Sequence, residues 1–525
     1  MVRRLRILLT AAAAVGSGWF LVAAANDALT DSVSVEGGVV KGATSDGVRI
    51  FKGIPYASPP VGDFRWKAPG PVVAWNGVRD AVEYGAQCPQ IPYPRDSPYY
   101  APPRKESEDC LFLNVWTAAE AGAKGPVMVW IHGGGLTRGT GATATYDGAP
   151  LAKKGVVVVT INYRIGPLGY LAHPELTAES PQHSSGNYGA LDQIAALKWV
   201  RKNIAAFGGD SSRVTIFGES AGSTSVNVLM ATPLAKGLFE RAIGESGGRF
   251  GRAVRLSEAE QAGVAFVKAV GVDSGVDSMK ALRAISPQKL LAVANFRTQE
   301  NVDGWVLPDE IRPIFEQKKH NHVPVIVGSN ANEMTTLATQ GTAPKTLEDY
   351  RKRVVAQYGD AIKEFDTLYP ANSDADVRDA WLGSLRDAGM TLQMRTWARL
   401  TTAGGDRAYL YWFSHVAPHP RAKELRAYHA SEIAYVFGNL IRDWSYTAVD
   451  RQVAETMSSY WSNFAITGDP NGRGLPTWSP YDAQTEPYLD FGDSSVLRNH
   501  LRKAEVDFFE RFQSRSQRTT SSERR

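Results

Sequence analysis

The chain predicts an α/β fold, a large and mostly parallel central sheet flanked by helices, on three observations. Val127-Met128-Val129-Trp130-Ile131 and Val156-Val157-Val158-Val159-Thr160-Ile161 are near-continuous apolar runs, the pattern of strands buried on both faces. Between Leu191 and Phe207, apolar side chains fall at Leu191, Ile194, Leu197, Val200, Ile204 and Phe207. Those spacings of three and four make an amphipathic helix whose stripe packs on a sheet. Finally, the strand-like run Val214-Thr215-Ile216-Phe217 passes through Gly218-Glu219-Ser220-Ala221-Gly222 into a stretch, Ser223 to Met230, that suits a helix. Strands alternating with helices are the signature of a parallel sheet.

The other elements can be placed in order. Residues 31–60 alternate apolar residues with Gly and polar ones, as short hairpin strands do. Pro59-Pro60, Pro69 and Pro71 mark an irregular covering segment, and residues 89–104, rich in Pro, Tyr and Ser, read as an exposed loop. Further strands are expected at Ala242-Ile243, Pro324 to Val327 and Tyr409 to Phe413, with 255–300 and 345–400 mainly helical. Length alone, 525 residues, would suggest about three domains. No repeat or long linker breaks residues 26–512, however, so one domain is expected there. The polar tail 513–525 is expected to be disordered.

Composition excludes some partners. The chain has 58 basic and 54 acidic residues. Arg3, Arg4 and Arg6 at the start, and Arg515, Arg518, Arg524 and Arg525 against Glu523 at the end, account for the excess. Without those seven basic and one acidic residues the body holds 51 basic and 53 acidic side chains. A near-neutral body gives no electrostatic argument for nucleic acid or an anionic membrane. Residues 1–25 have the layout of an export signal: a basic start, an apolar run from Ile7 to Ala25, and Ala23-Ala24-Ala25 as a small-residue cleavage site. The alternative is an uncleaved anchor, since the run approaches spanning length; Gly16, Ser17 and Gly18 in its middle favour cleavage. The expected location is therefore periplasmic or extracellular.

The two cysteines, Cys88 and Cys110, form an isolated pair that is expected to bond in an exported chain. Closing that loop is worth roughly 3 kcal/mol by the chain-entropy argument. With His132 as the nearest histidine they make poor metal ligands, and neither metal nor cofactor is expected.

Gly218 to Gly222 is the stretch with chemistry in it. A strand that turns sharply into a helix lifts a serine Oγ out of the sheet. Serine is a poor nucleophile at neutral pH and needs an imidazole to take its proton and a carboxylate to fix the imidazole tautomer. Six histidines follow Ser220. His415 ends an apolar strand and reads as structural; His429, in Tyr428-His429-Ala430-Ser431-Glu432, stands on loop-like ground. Glu333 lies just past the strand at 324–327, where parallel sheets place their sites. From pattern alone the alternative for each is a solvated loop residue, and His429 is favoured over that alternative more than Glu333 is. His132-Gly133-Gly134-Gly135 directly follows a strand, and a glycine run there can aim backbone N–H groups at a developing alkoxide. Gly134, Gly135 and Ala221 are the expected donors.

Longer motifs then carry a resemblance. Phe207-Gly208-Gly209-Asp210 with the 218–222 turn, Glu108-Asp109-Cys110-Leu111-Phe112-Leu113-Asn114-Val115, Phe51 to Ala57, Asn162-Tyr163-Arg164 and Asn187 to Gln193 together resemble the type-B carboxylesterases, the group of para-nitrobenzyl esterase-like enzymes and cholinesterases. The resemblance runs from about residue 33 to 510. It implies an α/β-hydrolase fold with insertions forming an active-site gorge, and a serine esterase working on a small-molecule ester through an acyl-enzyme. It implies Ser220, Glu333 and His429 as the triad and matches Cys88 and Cys110 to the family's first disulfide. Glu219 resembles a buried acid that helps position the site, and Ser246 a second serine bordering it. Leu136 stands where phenylalanine is usual, and Asn332 replaces an aspartate beside the acid. No tryptophan lies between Cys88 and Cys110, which argues against choline esters. A specialised esterase or lipase for a bulky or polyanionic ester, such as a toxin or polyester, is the alternative. A catalytically silent adhesion module of the same fold is the more distant one.

Overall fold

The computed structural model describes residues 31–522 apart from 121, 273–277, 339–342 and 441–443. The export-signal segment 1–25 lies outside the described residues. Eleven strands make the central sheet: β1 (Ala43–Ser45), β2 (Val48–Pro55), β3 (Phe112–Thr117), β4 (Gly125–Ile131), β5 (Val157–Ile161), β6 (Gly209–Glu219), β7 (Arg241–Glu245), β8 (Val325–Asn330), β9 (Ala408–Phe413), β10 (Pro487–Phe491) and β11 (Ser495–Asn499). Across the sheet they run β11-β10-β9-β8-β7-β6-β4-β5-β3-β2-β1. Strands β4 to β10 are mutually parallel, with antiparallel strands at both edges.

The apolar runs show why both faces are covered. Side chains alternate across a strand, so Val127, Val129, Ile131, Val325 and Val327 enter one buried cluster, while Met128, Trp130 and Ile326 enter the other. The first cluster lies under helices α1 (Tyr188–Asn203), α2 (Ala221–Ala231) and α3 (Leu392–Gly404), the second under α4 (Ala448–Thr467). The stripe expected from Leu191 to Phe207 is buried throughout, its last two residues, Ile204 and Phe207, lying in a separate 3-10 turn, Ile204–Phe207. A third cluster joins Tyr350, Tyr358, Phe365, Phe508 and Phe509 in the helical segments after residue 345. The final helix, Lys503–Ser522, continues past residue 512. Among the described residues no helix is long and apolar enough to cross a membrane.

Candidate active site

Ser220 sits where β6 becomes α2, with φ 56° and ψ −120°. A non-glycine residue at that φ is strained, and its surroundings must hold it. Its N–H donates to the Glu245 carbonyl at 2.8 Å. Gly222 is required by close approach: a Cβ there would lie 1.9 Å from the Ile131 carbonyl oxygen. Unlike the buried residues on either side of it, Ser220 is half-buried.

The glycine run after β4 lies against this turn. A Cβ on Gly133 would stand 3.1 Å from Ser220 Cβ. Gly134 has φ +109° and Gly135 φ +63°, which turns their amides away from the strand direction. Ala221 is the first residue of α2, so its N–H has no intrahelical acceptor. Among the described residues no acceptor pairs with the amides of Gly134, Gly135 or Ala221. His132 is structural: its ring stacks on Tyr163 with centroids 4.4 Å apart, and the Tyr163 hydroxyl donates to the His132 carbonyl at 2.7 Å. Burial pushes its pKa down to about 4, which leaves it neutral.

Glu333 and His429, 96 residues apart, meet: His429 Nδ1 and Glu333 Oε2 are 2.5 Å apart and both side chains are buried. The Asn330 N–H donates to the other oxygen, Oε1, at 2.7 Å. That fixes the carboxylate at the end of β8. The two loops are stitched together by the Asn332 N–H donating to the Ala427 carbonyl (2.9 Å) and by Asn330 Nδ2 donating to the Tyr428 carbonyl (2.8 Å). Asn332 thus occupies a bracing position.

The other ring nitrogen, His429 Nε2, is 3.0 Å from Glu219 Oε1, an ion-pair contact without hydrogen-bond geometry. Burial alone would depress the His429 pKa, but the neighbouring Glu219 and Glu333 carboxylates outweigh it and hold it well above the ordinary imidazole value. Glu219, buried, is itself pushed up by desolvation, with the His429 charge opposing. Ser246 is buried, its N–H donates to the Gly328 carbonyl (2.8 Å), and its Oγ lies 3.5 Å from Glu432 Oε1. His415, read as structural, makes contacts of 2.9 Å to Asp450 and 2.8 Å to Asp493.

Several residues were missed from sequence. Glu245 and Glu432 join Glu219 and Glu333 in a buried acid cluster; burial pushes Glu245 up to about 8 and Glu432 well above the carboxylate range. Trp461 Nε1 donates to Glu245 Oε1 at 2.7 Å. A glutamate ending an apolar strand, and another three residues beyond His429, were the available signals. Cys88 and Cys110 are disulfide-bonded, and the loop they close reaches the site. The Gly139 N–H donates to Gln90 Oε1 (2.7 Å), beside the glycine run, and the Tyr99 hydroxyl lies 3.0 Å from the His429 carbonyl oxygen. The Asn162 to Arg164 and Asn187 to Gln193 motifs meet as a buried ion pair, in which the Arg164 guanidinium donates to both Asp192 oxygens at 2.7 Å.

A mostly parallel eleven-stranded sheet with a serine on a strained strand-to-helix turn is the architecture of an α/β-hydrolase. The sequence profile of the carboxylesterase family matches residues 29–509. Fumonisin B1 esterase of Sphingopyxis macrogoltabida is 38% identical over 87% of this chain and 85% of its own. Para-nitrobenzyl esterase of Bacillus subtilis is 35% identical over 89% and 96%. Among solved structures, a PNB esterase superposes with a TM-score of 0.80 at 32% identity, covering 91% of this chain and 99% of its own. A carboxylesterase of Geobacillus stearothermophilus does so with the same score and identity, over 91% and 100%. The chain belongs to the carboxylesterase family, and is a serine-hydrolase-type enzyme acting on carboxylic esters.

Proposed function

We propose that Ser220 is the nucleophile of an acyl-enzyme mechanism, with His429 as general base and acid, Glu333 orienting the imidazole, and the amides of Gly134, Gly135 and Ala221 holding the oxyanion. The observation that carries this reading is the 2.5 Å contact between His429 Nδ1 and Glu333 Oε2, made by residues far apart in the chain, with the same imidazole 3.0 Å from Glu219, the residue before Ser220. Glu333, held on Nδ1, fixes the tautomer in which Nε2, which faces Glu219 Oε1 at 3.0 Å, accepts the Ser220 proton in the reaction. Ser220 Oγ attacks the ester carbonyl, and the three amides stabilise the alkoxide, each worth about 3–4 kcal/mol. His429 protonates the departing alcohol, then activates the water that releases the acid. The test is pre-steady-state hydrolysis of para-nitrophenyl acetate. A burst of one alcohol per chain is expected, lost together with turnover in Ser220→Ala; a variant that keeps most of its activity refutes the assignment.

Arg138 favours a second reading of the substrate. Its guanidinium stands 4.7 Å over the Tyr93 ring, and its backbone borders Gly134, where an added Cβ would lie 2.2 Å from the Arg138 carbonyl oxygen. An arginine next to the glycine run suits an ester with a nearby carboxylate, the bulky or polyanionic class; one relative is by name an esterase of fumonisin B1. A matched panel of neutral and anionic esters tests it. Arg138→Gln should raise KM for the anionic members alone, and equal effects on both sets refute the reading.

Export completes the proposal. The basic start, apolar run and Ala23-Ala24-Ala25 support it, and the Cys88–Cys110 disulfide suits an oxidising compartment. Sequencing of the mature protein should find a start near residue 26; an intact Met1 terminus retained in the membrane refutes cleavage.

A further inference from the structure

We infer that His320, His322 and Asp406 form a binding site for a divalent transition-metal ion of the zinc class, at the opposite end of the strands from the proposed triad. The ester chemistry calls for no metal, and 84 residues separate His322 from Asp406; only the fold brings the three together. His320 and His322 lie on the segment entering β8, and Asp406 on the turn between α3 and β9. Val325 and Ala408 pair across these parallel strands, so the two segments begin side by side. Glu333 follows the far end of β8, whose six residues span about 20 Å.

The geometry fits the ion. One ligand atom from each residue can be chosen so that all three lie within 4.8 Å of one another. His322 Nδ1 is 2.7 Å from Asp406 Oδ2, and His320 Nε2 is 3.8 Å from the same oxygen. Ligands held at about 2.0–2.1 Å in a tetrahedron stand about 3.3 Å apart, so the two separations bracket the required one. Shifts of roughly half an ångström bring these two pairs to that separation, and solvent supplies the fourth position. Imidazole and carboxylate donors suit zinc and its neighbours.

Two further observations point to a cation. Neither ring nitrogen of His320 has a hydrogen-bond partner, and its side chain is 0% exposed. A buried polar nitrogen left in that state is costly; a metal ion accepts its lone pair. The ring lies flat on Phe315, with centroids 4.1 Å apart and planes 1° from parallel, which fixes its direction. His322 Nε2 is 3.0 Å from the Lys318 carbonyl oxygen. Donation there leaves the Nδ1 lone pair facing the Asp406 carboxylate, an arrangement that only a proton or a metal ion can bridge. The ring N–H donating to a carbonyl is also the usual support of a metal-bound histidine. His322 is exposed and Asp406 half-buried, which gives the ion a way in.

The test uses untagged full-length protein, stripped with chelator and titrated with Co2+ alone, then with Zn2+ as competitor. One ion per chain is expected, with the intense visible absorption of low-coordinate Co2+, displaced by Zn2+. Zn2+ at a hundredfold excess over its Kd should raise Tm by about 3 °C. Asp406→Asn and His322→Ala should each lose both signals while keeping fold and esterase turnover, and Ser220→Ala should keep both signals. Absence of the absorption, its survival in the Asp406→Asn/His322→Ala double variant, or loss of turnover in step with occupancy would each overturn the assignment.

Discussion

Replacing Glu219 by glutamine removes a negative charge while keeping the side-chain length that fills the space beside Gly133. In the wild type Glu219 Oε1 lies 3.0 Å from His429 Nε2. At that distance a unit charge pair is worth about 1.4 kcal/mol in a water-like dielectric and about 5.5 kcal/mol at an effective constant of about 20. With about 1.4 kcal/mol per pKa unit, the bracket is about one to four units. Desolvation opposes the charge on Glu219, so the low end applies: about one to two units. The sign is fixed. His429 is held high by its two carboxylates; a protonated imidazole cannot take the serine proton; losing one carboxylate lowers its pKa. The acid limb of kcat/KM should therefore move to lower pH by about one to two units. The assay is the pH profile of kcat/KM with a neutral para-nitrophenyl ester. A limb that stays in place, or moves to higher pH, refutes the electrostatic role assigned to Glu219. The raised His429 pKa also contributes stability that is full below its unfolded value near 6.5 and lost as pH rises through the folded one. Glu219→Gln should accordingly lower Tm more at pH 5 than at pH 9.

Three other outcomes follow from the same geometry. Gly134→Ala places a Cβ 2.2 Å from the Arg138 carbonyl oxygen at φ +109°; kcat should fall about 10²–10³-fold with KM little changed, in steady-state kinetics on folded protein. The Glu245 pKa is raised to about 8 by burial, so wild-type stability should fall between about pH 4.5 and pH 8, with a slope of at most about 1.4 kcal/mol per pH unit from this group. Glu245→Gln, which can still accept from Trp461, should flatten that part of a denaturant-derived stability curve; an unchanged slope contradicts it. Cys88→Ser/Cys110→Ser should cost roughly 3 kcal/mol and also reduce kcat, because Gln90 and Tyr99 on the released loop brace Gly139 and the His429 backbone; stability loss with unaltered kcat would limit the disulfide to a scaffold role.

How much of this was legible in the sequence depends on the range of each interaction. The central strands were, because alternate residues serve two buried faces and Val, Ile and Leu fill both. The serine turn was, because its glycines are demanded locally, as Gly222 is by the Ile131 carbonyl. Glu333 and His429 were only candidates by pattern, since what joins them is a contact across 96 residues; family motifs narrowed the choice. The stripe on α1 was legible but understated the burial. Asp192 and Gln193 lie inside as well, Asp192 because it neutralises Arg164 and Gln193 because its Nε2 donates to Ser225 Oγ at 2.9 Å. Glu245 and Glu432 gave weak signals, because a buried acid is recognisable only once its neighbours are known. The 89–104 loop read as exposed, and half of it is, yet Gln90 and Tyr99 turn inward through long-range hydrogen bonds to Gly139, Thr336 and His429 that no local pattern encodes. The same reason hid His320, His322 and Asp406.

The central claim is that residues 220, 333 and 429 act as one proton-transfer unit. Its most direct measurement is the rate and site of fluorophosphonate labelling, read by peptide mass spectrometry in the wild type, His429→Ala and Glu333→Gln. A single adduct on the Ser220 peptide is predicted, forming at least about 10³-fold more slowly when His429 is removed and markedly more slowly when Glu333 is neutralised. An adduct on Ser246 or any other serine, or an undiminished rate in His429→Ala, would contradict it.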